Sequence, residues 1–331
     1  PLSFVHIAKC AGTSFGETLE KVASQLRGAG QRVTIMRNPL RNQSYGSLHV
    51  LEREPKCPAP GSVAFFLEEV CGAPLDTMRS CGLPEMAFLR DPIERVVSHY
   101  QFYANEPNRT IIRPSASPED LARRMSESLC ELGVETVCDR ADSLLRVEKC
   151  HLWRRDCGVW INHQVHVLAG SRPWGESMEQ RYEVALAHFD EMPFFGLTEY
   201  YRHSVCLFLD LWLPGERSMF ESCCSGPEPG GDCELVGQYN AQGAVIEEGT
   251  KRVEAERAEP DYVGAFLGVR ETARSLLDGN RYDCLLYTRA LRAFAARAQE
   301  LEARRGLSLG PVRTPAEGKD FCDEKMSAWL L

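Results

Sequence analysis

Leu2-Ser3-Phe4-Val5-His6-Ile7 runs directly into Ala8-Lys9-Cys10-Ala11-Gly12-Thr13-Ser14-Phe15. The first half is an apolar run of strand length and the second is a short turn entering a helix-like segment, so the stretch predicts a strand, a turn and a helix start. Backbone N–H groups at the opening of a helix lack intrahelical partners and lie at the positive end of its dipole, which makes such a turn a seat for phosphate or sulfate oxygens. Lys9 adds a point charge, and Thr13 and Ser14 add hydroxyls. With a single glycine, and a lysine that precedes the hydroxyl pair instead of adjoining it, the turn is not the G-x-x-x-x-G-K-[ST] loop of ATPases and GTPases.

Working outward, Met86-Ala87-Phe88-Leu89 reads as another short buried strand, followed at once by Arg90-Asp91-Pro92-Ile93-Glu94-Arg95-Val96-Val97-Ser98-His99-Tyr100. Asp91 is a natural helix cap, and Pro92 suits a first helical position. Ile93, Val96, Val97 and Tyr100 recur at helical spacing and should face a sheet. That leaves Arg90 at the strand's end and Ser98 two turns on, where both could reach a phosphate. A plain strand–helix unit whose arginine pairs with a carboxylate is the competing reading.

Together the two segments resemble the nucleotide-binding elements of sulfotransferases that use 3′-phosphoadenosine 5′-phosphosulfate (PAPS), the Golgi carbohydrate 2-O- and 6-O-sulfotransferases in particular. The first turn is similar to their 5′-phosphosulfate loop and the Arg90 unit to their 3′-phosphate element. Asn162-His163-Gln164-Val165-His166-Val167-Leu168-Ala169, Met192 to Tyr200, Gln238-Tyr239-Asn240 and the late segment with Asn280, Asp283, Leu286 and Tyr287 resemble the family in the same order. The resemblance implies an α/β fold, a P-loop-like parallel sheet flanked by helices and carrying helical and loop insertions. It implies PAPS as cofactor, PAP as product, a carbohydrate acceptor and no metal. Lys9, Cys10, Ala11, Gly12, Thr13, Ser14, Arg90, Ser98, Tyr239 and Asn240 would contact the nucleotide, and Asn162, Gln164 and His166 the acceptor. Two positions depart from the family: Cys10 stands where threonine is usual, and His166 where 6-O-sulfotransferases carry arginine.

Sulfuryl transfer needs positioning and charge stabilisation much as phosphoryl transfer does. Lys9 suits the charge growing on the leaving phosphate oxygen. A base must take the acceptor's proton, and histidine is the commonest choice near neutral pH. Tyr45-Gly46-Ser47-Leu48-His49 looks like the Gly-Leu-His segment that carries the base in 6-O-sulfotransferases, which makes His49 the candidate, with Glu68 and Glu69 as alternatives. His6 would orient the loop. His163 and His166, with Cys150, His151 and Cys157 nearby, fit no zinc spacing. Cys10 has two readings: a thiol activated at a helix N-terminus, or an inert small residue.

The chain of 331 residues reads as one domain over 1–305 with a C-terminal extension over 306–331. Its hydrophobic and charged fractions, 44% and 26%, are those of a globular protein. No apolar run approaches the roughly 20 residues of a membrane helix. The first strand begins at once and without an initiator methionine, so the expectation is a catalytic portion of a Golgi-lumenal protein whose N-terminal membrane anchor lies outside this sequence. Fourteen scattered cysteines favour an oxidising compartment, with Cys10 free and the region of Cys223 and Cys233 tied down by disulfides. Asn42-Gln43-Ser44 and Asn108-Arg109-Thr110 match the glycosylation acceptor pattern. A net charge of −9 argues against nucleic acid as partner.

Further strands are expected at Arg32 to Met36 and Phe194 to Gly196, with Ser62 to Val70 open between strand and helix. Helices are expected from Pro118 to Leu132, from Glu179 to Phe189, from a Thr198 cap to Trp212, and through much of Tyr262 to Arg305. Gly215 to Gly249 reads as a long loop and the last residues as an extended linker. Two other functions compete: a nucleotide kinase or NTPase, disfavoured by the lack of a Walker loop and of a magnesium set, and a non-catalytic carbohydrate-binding relative.

Overall fold

The computed structural model describes residues 2–5, 7, 10–28, 30, 33–37, 63–68, 79–80, 82–104, 162–170, 177–225, 233, 235, 274 and 277–329. In chain order these form β1 (Leu2–Val5), α1 (Gly12–Gly28), β2 (Val33–Arg37), β3 (Val63–Glu68), β4 (Glu85–Leu89), α2 (Pro92–Ala104), α3 (His163–Ala169) and α4 (Met178–Glu191). Then come β5 (Phe194–Leu197), a 3-10 turn (Thr198–Tyr200), α5 (Tyr201–Trp212), α6 (Arg217–Cys224), α7 (Arg281–Arg305) and α8 (Phe321–Trp329).

The five strands make one sheet in the order β2-β3-β1-β4-β5, every pairing parallel. Parallel strands are covered on both faces and therefore read as continuous apolar runs. β4 and β5 are buried at every position. The first crossover, through α1, carries the chain to the outer strand β2, and β3 returns beside β1. β4 then adds on the other flank of β1, followed by β5. The connections leaving β1 and β4 thus diverge, and in open parallel sheets the crevice at such a divergence, outside the carboxyl ends of the strands, is where ligands bind.

Aromatic rings fill the space between sheet and helices. Phe15 of α1 lies 5.1 Å from Phe4, 4.6 Å from Phe88 and 5.2 Å from Phe208. Leu19, Val22 and Leu26 follow Phe15 at helical spacing on the same buried face. Phe88 pairs in register with Gly196, and a Cβ at that glycine would stand 2.5 Å from the ring. Only glycine leaves room for the ring there.

Several sequence expectations hold. The ambiguous segment is strand β3, β2 lies one residue from its expected bounds, and α4 is opened by a Ser177–Gln180 capping box. Three expectations are corrected. Thr198 does not cap the helix to Trp212: its hydroxyl donates to the carbonyl of Leu89 (3.1 Å), and the chain makes a 3-10 turn before α5 begins. The expected loop from Gly215 contains α6, pinned by Cys206–Cys224 and Cys223–Cys233. The C-terminal extension is no free linker, because Leu309 joins the core, Glu302 accepts the Leu309 and Gly310 N–H groups, and Cys284–Cys322 fastens α8 to α7. Expectations for the helix from Pro118 and for most of 226–273 lie outside the described residues.

The three disulfides among the described residues are compatible with a lumenal or extracellular compartment. Among the described residues no helix is long and apolar enough to cross a membrane.

Candidate anion site at the strand ends

β1 stops at Val5, and the Cys10 N–H donates to the Ile7 carbonyl (3.2 Å) to close a turn. Ala11 then takes a left-handed conformation, φ 54°, of the kind glycine usually occupies, and turns the chain into α1. The first intrahelical bond runs from Phe15 N–H to Ala11 carbonyl (2.9 Å). That leaves the N–H groups of Gly12, Thr13 and Ser14 without intrahelical acceptors at the positive end of a helix of 17 residues.

On the neighbouring strand, β4 ends at Leu89 and α2 starts at Pro92. Asp91 caps α2 as its residue type predicts, its Oδ1 accepting from Ile93 N–H (2.9 Å) and Glu94 N–H (3.3 Å). Arg90 sits between strand and cap, its side chain 22% exposed and its guanidinium 3.5 Å from Glu94. Ile93, Val96 and Val97 are buried as their spacing requires, and Ser98 is half-buried on the same helix.

One side chain joins the two turns. The amide of Gln164, fully buried on α3, accepts from Arg90 N–H at Oε1 (2.9 Å) and donates from Nε2 to the Arg90 carbonyl (2.9 Å). The same Oε1 receives the Cys10 thiol at 3.7 Å. Gln164 thereby fixes the backbone of Arg90 and holds the β1 turn beside it. Expected at the acceptor, Gln164 has both sides of its amide used by the protein interior. The Cys10 thiol points inward to Gln164, and its N–H is engaged by Ile7. Burial pushes the Cys10 thiol up to about 12, although Arg95 and Arg90 pull the other way. Burial of this kind favours the inert reading of Cys10 over the activated one.

Asn162, also expected at the acceptor, is buried in a joint between two helix N-termini. Its Oδ1 accepts from Tyr282 and Asp283 N–H (2.9 and 3.0 Å), capping α7. In return Asp283 accepts from Gln164 and Val165 N–H (3.1 and 2.8 Å), capping α3, while Asn280 accepts from Asn162 N–H (3.1 Å). Each helix is capped by the other's first residues. His166, the third acceptor candidate, is half-buried with Nδ1 3.1 Å from the Arg181 guanidinium.

Charge is concentrated beneath the site. Arg95 is fully buried on α2; burial lowers its pKa and Asp283 opposes that shift. Burial raises the Asp283 pKa, countered by Arg95 and the two capped N–H groups. Glu199 is exposed as a residue, yet both its carboxylate oxygens are held, Oε1 by Asp91 N–H (2.9 Å) and Oε2 by the Tyr287 hydroxyl (2.7 Å). Desolvation of that end, and then the Asp91 charge, raise its pKa. Asp91 Oδ2 is paired with Lys325 of α8. Sequence reasoning assigned no individual role to Arg95, Glu199 or Lys325; no local pattern marks any of them, since their partners lie far along the chain.

Lys9, His49, Glu69, Tyr239 and Asn240 lie outside the described residues, as do the side chains of Thr13 and Glu68. The backbone of Glu68 closes β3 opposite Val5, at the carboxyl edge where the two turns meet. The structure therefore brings together the Gly12–Ser14 turn and Arg90, and assigns Cys10, Asn162 and Gln164 to the framework behind them. No protein-family model matches the chain, and no curated protein matches it.

Proposed function

We propose that this chain transfers a sulfuryl group from PAPS to a carbohydrate hydroxyl, as a lumenal Golgi enzyme of sulfotransferase fold. The observation that carries the reading is the Gln164 bridge, which holds an open helix N-terminus and an arginine side by side at the divergence of a parallel sheet. Such a pairing suits a ligand with two separated anionic groups: one seated on the N–H groups of Gly12, Thr13 and Ser14, the other on Arg90 with Ser98.

In the proposed reaction the acceptor oxygen attacks sulfur in line as the bond from sulfur to the phosphate oxygen breaks. His49 takes the hydroxyl proton, and Lys9 with the α1 donors meets the charge left on the phosphate. Preorganised donors act where charge develops, so the rigid backing of the turn by Gln164 contributes to rate as well as to binding.

Calorimetric titration with adenosine 3′,5′-bisphosphate against ATP tests the nucleotide, and transfer of radiolabelled sulfate to a panel of polysaccharides tests the reaction. Preference for the bisphosphate and label in a polysaccharide are expected. Arg90→Ala should weaken bisphosphate binding roughly tenfold or more, the worth of a charge-assisted bond of about 1.5–3 kcal/mol. Equal affinity in a folded Arg90→Ala protein, or preference for ATP, would overturn the assignment.

A further inference from the structure

Tyr287, on the core side of α7, bonds Glu199 beneath the anion site. The other side of the same helix lines a cavity of about 770 Å³, within the size range of small-molecule sites. Leu285, Arg289 and Arg292 face it at helical spacing, while Leu291, Phe294 and Ala298 pack with Tyr287 into the core. α4 contributes Tyr182, Phe189 and Asp190, and the chain entering α8 contributes Lys319 and Asp320.

The bottom of this cavity is apolar and its rim is charged. Phe189 and Phe195 are buried, their ring centroids 4.6 Å apart, with half-buried Tyr182, Leu285 and Ala293 around them. On a chain of net charge −9, arginines find carboxylates easily: Arg289 pairs with Asp190 (3.2 Å), and Arg304 and Arg305 both pair with Asp210. Three other cations on the cavity have only neutral partners or none. Arg292 spends Nη2 alone, on the carbonyls of Ala316 (3.3 Å) and Lys319 (2.8 Å), which leaves Nε and Nη1 without a partner among the described residues. Arg297 donates to the Pro193 carbonyl (3.4 Å) and lies 4.7 Å over the Phe195 ring. The Lys319 ammonium makes no hydrogen bond or ion pair among the described residues. Asp320 and Asp323 stand on the same rim and oppose an anion, so the cations hold it against that charge.

We propose that this cavity binds an organic anion with a flat apolar body, an aryl carboxylate or aryl sulfonate by chemical class. The ring packs against Phe189, Phe195 and Tyr182, and the acid group meets Arg292 and Lys319 at the rim. The site shares no side chain with the Gly12–Ser14 turn or with Arg90, so it goes beyond the nucleotide reading and does not depend on it.

The test is calorimetric titration of the whole chain with 2-naphthoate, naphthalene-2-sulfonate, neutral 2-naphthamide and inorganic sulfate. Both aryl acids should bind at one site per chain, and the tighter of them names the head group. The amide, which lacks the charge, and sulfate, which lacks the ring, should each bind roughly tenfold or more weakly. Arg292→Gln should weaken the acids roughly tenfold and Lys319→Ala roughly threefold, while Asp323→Asn should tighten them. Because Arg292 also braces the chain at Ala316 and Lys319, Ala293→Phe serves as a second variant: it fills the cavity without touching a charge, and should abolish binding in a protein whose circular dichroism is unchanged.

Adenosine 3′,5′-bisphosphate is titrated beside the aryl acids to separate this site from the strand-end crevice. Naphthoate affinity that falls with Arg90→Ala and not with Arg292→Gln would assign the anion to that crevice and overturn the proposal. Equal binding of the neutral amide, or indifference to Ala293→Phe, would overturn it too. Failure of the bisphosphate to bind, with naphthoate still responding to Arg292→Gln and Ala293→Phe, would sink the nucleotide reading and leave this site standing.

Discussion

At the scale of single residues, two positions separate packing from charge. Gly196 faces the Phe88 ring, which is itself enclosed by Phe15 and Tyr201, so the ring cannot retreat from a new methyl group. Gly196→Ala should destabilise the protein by about 1–3 kcal/mol, read as a lower urea midpoint with unchanged slope. Glu199 is the electrostatic counterpart. Its folded pKa is raised, so its favourable contribution is complete below the unfolded carboxylate pKa and is lost as pH climbs through the folded value. Glu199→Gln keeps an oxygen for Asp91 N–H and removes the charge. The variant should gain on the parent at pH 7, the difference closing as the buffer approaches pH 4; a constant difference across that window would show that the charge is not what matters.

At the scale of elements, the joint between α3 and α7 is the least local feature of the molecule. Asn162→Ala should cost about 1–2 kcal/mol as a lost cap, whereas Asp283→Ala should cost roughly 3–5 kcal/mol because Arg95 then keeps a buried charge without its main opposing one. Denaturation of both single variants and the double one should show a sum larger than the double, since each change breaks the same joint. The joint also marks where sequence reading stops. β1 with α1, and β4 with α2, were legible because their signals are adjacent: an apolar run, then a turn residue, then Asp-Pro and a helical stripe. Asn162 and Gln164 were recognisable as special by resemblance, yet their partners stand 74 to 154 positions away, and no spacing rule reaches that far. Thr198 shows the same limit from the other side, its cap propensity overridden by a bond to Leu89 on another strand.

At the scale of the whole molecule, the C-terminal extension was hidden because Leu309, Val312, Phe321 and Cys322 follow no helical or strand period, although all four pack against the body of the protein. A protein ending at Arg305 would lose the Leu309 contact, the Cys284–Cys322 crosslink and Lys325 together. A crosslink closing a loop of 38 residues contributes about 3–4 kcal/mol by the chain-entropy estimate. The shortened protein should therefore melt well below the parent in a thermal scan followed by circular dichroism. An identical melting curve would return the segment to the status of a linker.

The distance between Asp91 and Lys325 along the chain has a consequence for biosynthesis. A ribosome adding about 5–20 residues per second needs on the order of 10–50 s to cover the 234 positions between them. Over that interval Phe15 waits for Phe208, Thr18 waits for Leu235 and the Arg90 turn waits for its last brace, while the apolar face of the early strands stands open. Until those partners are synthesised the early elements keep apolar surface that the finished fold buries, so co-expression of a holding chaperone should raise the soluble yield, and an unchanged yield would show that the wait is harmless.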